Sequence, residues 1–121
     1  VELPEVPPGM THAWRNYVVR VSDRDRVRAQ LRERGIATGV LYPPPIYLQS
    51  VYRGLGLGPG SFPVAEALAQ DLLCLPMHPG LSEAHVDEVA TALIAACKGN
   101  RVARRETYGD RSSVHVAEAH T

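Results

Sequence analysis

Aromatic and β-branched residues crowd positions 12–21 (HAWRNYVVRV), a pattern that predicts a β-strand. Ser22-Asp23-Arg24-Asp25 follows as a capping-box-like start with acids in the first turn of a helix. Val27 and Leu31 then lie four apart on one helical face, Arg32 and Arg34 favour the negative end, and Gly35 suits a left-handed stop. Ile36 to Leu41 predicts a second strand, so the first organised unit reads strand–helix–strand. Ahead of it, residues 1–11 (VELPEVPPGMT) hold three prolines and one glycine without periodicity, the look of an extended linker.

Tyr42-Pro43-Pro44-Pro45 ends the second strand, because proline has no N–H to give to a ladder. Residues 46–53 (IYLQSVYR) predict about two turns of helix before a flexible stretch from Gly54 to Gly60. Ser61-Phe62-Pro63 opens another helix whose face runs through Val64, Ala67, Leu68, Asp71 and Leu72. Leu73-Cys74-Leu75 reads as a short buried strand. Ser82 caps a last helix with Val86, Val89, Ala90, Leu93, Ile94 and Cys97 at helical spacing, expected to dock through Val86, Val89, Leu93 and Ile94. Gly99 ends that helix, and the polar tail over 100–121 is expected to be disordered. The sum is an α+β fold: one small two-layer domain over 12–99, a short and mostly antiparallel sheet with helices on one face.

Composition narrows the function classes. The 13 basic and 13 acidic residues balance, which predicts neither nucleic-acid binding nor attraction to an anionic membrane. Cys74 and Cys97 each sit in an apolar run and read as free thiols in a reducing compartment, pointing to a soluble cytoplasmic protein. The longest apolar stretches are too short for a bilayer span. The chain begins at Val1 without a methionine, which predicts a fragment, an engineered piece or an alternative start codon. Twelve basic residues are arginine and one, Lys98, is lysine, so any Schiff-base chemistry must use Lys98 or a lysine from elsewhere.

The motifs with chemical potential are few. Gly54-Leu55-Gly56-Leu57-Gly58-Pro59-Gly60 has the wrong glycine spacing for a dinucleotide fingerprint and follows a helix rather than a strand, so it reads as a plain loop. Cys74, His78 and His85 repeat no known metal-ligand spacing, and no Gly-x-Ser-x-Gly elbow is present. The segment Tyr42-Pro43-Pro44-Pro45-Ile46-Tyr47 stands apart. A strand end, a rigid proline turn and two tyrosines at a corner can fix polar groups at a pocket edge, with Pro43 holding Tyr42 extended. The same residues can equally cover a core with their rings.

The segment order resembles the C-terminal portion of the DegT–DnrJ–StrS family of pyridoxal-phosphate (PLP) aminotransferases. The likeness runs from about Leu3 to about Cys97 and rests on Gly35-Ile36-Ala37-Thr38-Gly39-Val40 leading into Tyr42-Pro43, then Leu75-Pro76-Met77-His78-Pro79. It implies the small domain of an enzyme that transaminates nucleotide-linked keto-sugars or aminocyclitol precursors, with glutamate or glutamine as donor. It also implies a missing N-terminal large domain carrying PLP and its lysine, a homodimer when intact, and inactivity of the chain alone. Lys98 lies outside every matched motif and ends a helix. The implied substrate edge is Tyr42 and Tyr47 with Leu41 beside them and Tyr17 beneath. Two departures stand out: relatives often read His-Tyr-Pro at Leu41-Tyr42-Pro43 and Pro-Leu-His at Pro45-Ile46-Tyr47. A leucine at 41 can neither donate, accept nor titrate. Arg15 likewise stands where many relatives carry histidine. Two alternatives remain: a PLP-dependent sugar dehydratase of the same family, or a stand-alone α+β binding module without PLP.

Overall fold

Only four residues of the β-branched run, Tyr17–Arg20, form the strand β1 in the computed structural model, which describes residues 1–98. The remaining elements are α1 (Arg24–Glu33), two 3₁₀ turns (Ile46–Leu48 and Ser50–Leu55), α2 (Pro63–Asp71), β2 (Leu72–Leu75) and α3 (Glu83–Lys98). β1 and β2 pair antiparallel, with Tyr17 opposite Leu75 and Val19 opposite Leu73. The expectations for Gly99 and for 100–121 lie outside the described residues.

Both flanks of this ribbon differ from the sequence reading. The presumed linker contributes Glu2, which exchanges two 2.9 Å backbone hydrogen bonds with Arg20 and so extends the sheet beyond β1. On the other edge, the expected strand from Ile36 to Leu41 shrinks to one bridge, Gly39 with Cys74, at 2.8 and 3.0 Å. The start of that segment is spent on closing α1: Gly35 takes φ 77°, and the Ile36 N–H donates back to the Leu31 carbonyl at 3.0 Å. Its end meets prolines that cannot donate. The α1 start departs as well. Asp23 is left-handed (φ 56°) and makes no side-chain cap; its carboxylate accepts from the Arg26 guanidinium at 2.7 Å instead.

The core sits between the sheet and the pair α1 and α3. Val19, Val21 and Leu73 meet Val27 and Leu31 of α1, Ile36, and Ala92, Leu93 and Ala96 of α3. Alternation along β1 and β2 sends Val19 and Leu73 to that face together, as period-two pleating requires. α3 does not dock through all four expected positions. Val89 and Leu93 pack inward, whereas Val86 and Ile94 are 53% and 51% exposed. Residues 86, 90 and 94 form a second stripe, adjacent to the buried stripe of 89, 92, 93 and 96, so only part of a broad apolar arc touches the core. Arg24, only 7% exposed, joins α1 to the α2–β2 junction: its Nη1 donates to the carbonyls of Ala69 (3.2 Å) and Leu72 (3.0 Å).

Candidate functional site

Beyond Gly39 the chain leaves the sheet and does not return until β2. Leu41 is half-buried at this departure, and Tyr42 stands 71% exposed with φ 51°. The extended geometry expected of Tyr42 is therefore absent. The chain turns away from the sheet at this residue, and a left-handed non-glycine residue costs roughly 1–2 kcal/mol that the turn must offset. Pro43, Pro44 and Pro45 then lead straight into the first 3₁₀ turn, where Tyr47 sits half-buried.

The residue predicted for neither core nor site turns out to organise the region. Glu66, in the first turn of α2, accepts with one oxygen, Oε1, from three donors: the Tyr47 hydroxyl, the Gly60 amide at 2.7 Å and the Phe62 amide at 3.5 Å. The Tyr47 ring meets Phe62 edge-on, with centroids 4.9 Å apart. Removal of water from the Tyr47 hydroxyl, then its bond to Glu66 and that carboxylate's charge, push its pKa up to about 12. The Tyr47 bond, with smaller help from the Gly60 and Phe62 amides, holds Glu66 below the ordinary carboxylate value despite partial desolvation. An acid in the first turn of a helix that follows a donor-rich loop was the available signal for Glu66.

Tyr17 occupies a different place. It begins β1, packs against the core, and lies 5.1 Å from Trp14, which stacks on His12 at 4.1 Å. Among the described residues no hydrogen bond or ring contact joins Tyr17 to Tyr42 or Tyr47. Of the four residues singled out, the structure thus brings Leu41, Tyr42 and Tyr47 onto one segment and leaves Tyr17 on the sheet. An open groove at the α1–α3 junction is lined by Arg34, Ile36, Asp87 and Glu88 and contains none of the four.

The glycine run is occupied by its own bonds: the Gly58 amide donates to the Ser61 hydroxyl at 3.1 Å and the Gly60 amide to Glu66, beside a carboxylate that repels a phosphate. Cys74 is buried in β2, and burial pushes its thiol up. His85 and Ser82 bond reciprocally at the start of α3, His85 Nδ1 accepting from the Ser82 amide at 3.3 Å. Among the described residues no three His, Cys, Asp or Glu side chains converge for a metal, and no helix is long and apolar enough to cross a membrane. Lys98, the last residue of α3, is exposed.

Comparison with known proteins adds identity to this geometry. The sequence model of the DegT/DnrJ/EryC1/StrS aminotransferase family matches residues 1–94. The erythromycin biosynthesis sensory transduction protein EryC1 of Saccharopolyspora erythraea is 43% identical over 95 residues, covering 78% of this chain and 26% of EryC1. The dTDP-3-amino-3,4,6-trideoxy-alpha-D-glucose transaminase of Micromonospora megalomicea is 37% identical, over 77% of this chain and 25% of that enzyme. The crystal structure of a DegT DnrJ EryC1 StrS aminotransferase from Brucella abortus superposes with a TM-score of 0.72 at 38% identity, covering 79% of this chain and 26% of that one. The chain thus spans about a quarter of the length of the relatives it matches.

Proposed function

The chain belongs to the DegT/DnrJ/EryC1/StrS aminotransferase family, and on that premise we propose that it serves as the C-terminal small domain of a PLP-dependent sugar aminotransferase. The observation that carries this reading is the family match along 1–94, joined by 37% identity over 94 residues to a transaminase named for a dTDP-linked amino sugar. PLP, when bound, supplies the electron sink that lets an amino group pass from donor to keto-sugar. The described residues do not fit that cofactor: the single lysine ends α3 at the surface, and the glycine amides described above are already bonded. The cofactor, its lysine and its phosphate cradle belong to a large domain in this reading, and the chain alone is inactive.

What this chain contributes is the substrate side. The exposed Tyr42 hydroxyl can donate to and accept from sugar hydroxyls, and Leu41 beside it offers only an apolar surface. Tyr47 borders the same edge while its hydroxyl is engaged by Glu66. Tyr17 supports the sheet beneath. The substrate is a nucleotide-linked keto-sugar or an aminocyclitol precursor, the donor glutamate or glutamine, and the intact enzyme a homodimer. The unpaired Cys74 and Cys97 fit a cytoplasmic setting.

A stand-alone binding module accounts less well for the surface. Tyr42, Ile46, Val51, Leu55, Phe62 and Val64 are all exposed between positions 42 and 64, a density of exposed apolar side chains that favours a covering partner. A graft tests the proposal: residues 1–98 replace the matching quarter of the Micromonospora megalomicea transaminase, and glutamate-dependent amination of a dTDP-linked keto-sugar is followed. A working graft, with the chain alone inactive, is expected. A graft that folds and takes up PLP but transfers no amino group to sugar overturns the reading.

A further inference from the structure

We propose that Glu66 is a positioning residue that sets where Tyr42 is presented, by latching the segment between Leu41 and Phe62 onto the first turn of α2. The inference rests on the reading of Tyr42 as a substrate-edge residue, and it is carried by how this segment is, and is not, held. None of residues 41–64 belongs to the hydrophobic core or packs against it. The backbone hydrogen bonds within the segment are local, each closing a turn: Leu48 to Pro45, Gln49 to Ile46, Tyr52 to Gln49, Gly56 to Arg53 and Ser61 to Gly58. Such bonds shape turns without fixing where the turns lie. Among the described residues the one long-range side-chain bond of the segment is Tyr47 to Glu66, and the same carboxylate oxygen takes the Gly60 and Phe62 amides from the far end. Tyr47 and the far end of the excursion are therefore tied at one atom.

The tie reaches Tyr42 through proline. Pro43, Pro44 and Pro45 each have a locked φ, so the arm between Tyr42 and the 3₁₀ turn carrying Tyr47 has few soft torsions. Fixing Tyr47 at Glu66 fixes the far end of that arm. Pre-ordering an otherwise exposed hydroxyl removes part of the entropy that substrate binding would have to offset. The buried guanidinium of Arg24 contrasts with this: its hydrogen bonds go to Asp25 and to the carbonyls of Ala69 and Leu72, and none to the segment.

Two measurements test the proposal. In this chain, Glu66→Ala removes all three acceptor contacts, and Tyr47→Phe removes the long-range bond while leaving a ring against Phe62. Amide exchange at Gly60 and Phe62 and tryptic cleavage after Arg53 report on the segment, and the amides of Val19 and Leu73 report on the core. Glu66→Ala is expected to speed exchange and cleavage by about tenfold or more, since about tenfold corresponds to one hydrogen bond of ordinary strength and three are lost together, with core amides unchanged. Tyr47→Phe is expected to speed cleavage after Arg53 with a smaller change at Gly60. If Glu66→Ala disrupts the core amides, the Tyr47→Phe result alone decides. Unchanged cleavage in a folded variant overturns the latch.

In the complete enzyme, Glu66→Ala is expected to lower kcat/KM for the keto-sugar, and Tyr42→Phe should cost less in that background than it does alone, since both act through one contact. Independent, additive losses overturn the positioning role. A Tyr42→Phe enzyme equal to wild type overturns the substrate-edge reading and the positioning role with it, and leaves the latch itself to be judged by exchange and proteolysis.

Discussion

Leu31 and Tyr42 lie close in sequence and in opposite physical circumstances. Leu31 is fully buried among Val19, Val27 and Leu73, whereas Tyr42 projects into solvent from a segment that supplies no residue to that core. The folded half, β1, α1, β2 and α3, is held by non-directional burial spread over many side chains, so its stability is distributed. The segment from Leu41 to Phe62 is held by directional bonds converging on Glu66, so its geometry hangs on very few atoms. A region built the first way resists single substitutions gradually. One built the second way changes position when a single polar group is lost.

The largest expected effect tests the distributed half. Leu93→Ala should cost about 2–5 kcal/mol in urea unfolding, since it opens a cavity at a nearly fully buried position. Ile94→Ala, one residue along the same helix but half-exposed, should stay within about 0.5 kcal/mol. Equal losses at both positions would break the distinction drawn between the two stripes of α3. Next is Arg24→Met, which keeps the stem and strips the donors from the Ala69 and Leu72 carbonyls; about 1–3 kcal/mol should be lost in the same assay.

Tyr42→Phe falls on the other side of the comparison. Removing the hydroxyl of an exposed tyrosine should leave the melting temperature of this chain unchanged, while in the complete enzyme kcat/KM drops by roughly 1–3 kcal/mol of transition-state stabilisation. A lower melting temperature with unchanged efficiency would make it a structural residue. The smallest effect is a pH dependence confined to the segment. Closure lowers the Glu66 pKa, so its contribution is complete above the ordinary 4.5 and is lost as pH falls through the lowered value. Closure raises that of Tyr47 from 10.0 to about 12, so its contribution is complete below pH 10 and is lost as pH rises toward 12. Gly60 protection, corrected for intrinsic exchange, should therefore hold between those limits and fall outside them, with core amides steady at the onset.

Much of the fold was legible because it rests on local, periodic signals. The β-branched run located β1, Gly35 marked the end of α1, Pro63 the start of α2, and the apolar run Leu73-Cys74-Leu75 the partner strand. The misreadings share a cause. Ile36 to Leu41 has strand composition, yet its backbone groups are partly committed to closing α1. Glu2 looks like linker because pairing with Arg20 depends on where β1 lies in space. On α3, apolar residues spread around so much of the helix that periodicity could not choose which stripe faces inward.

The same division holds for the candidate site. Sequence by itself determined that Tyr42 and Tyr47 flank a proline arm, that Lys98 lies outside every matched motif, and which family the chain belongs to, because each depends on residue identity and order along the chain. Only the tertiary structure decided that Tyr42 is left-handed and exposed, that the Tyr17 ring meets Trp14 and not Tyr42, and that Glu66 gathers Tyr47, Gly60 and Phe62 at one oxygen. A hydrogen bond between residues 19 apart in sequence leaves no period and no local propensity behind; it exists because the return of the chain into α2 brings the carboxylate to the tyrosine.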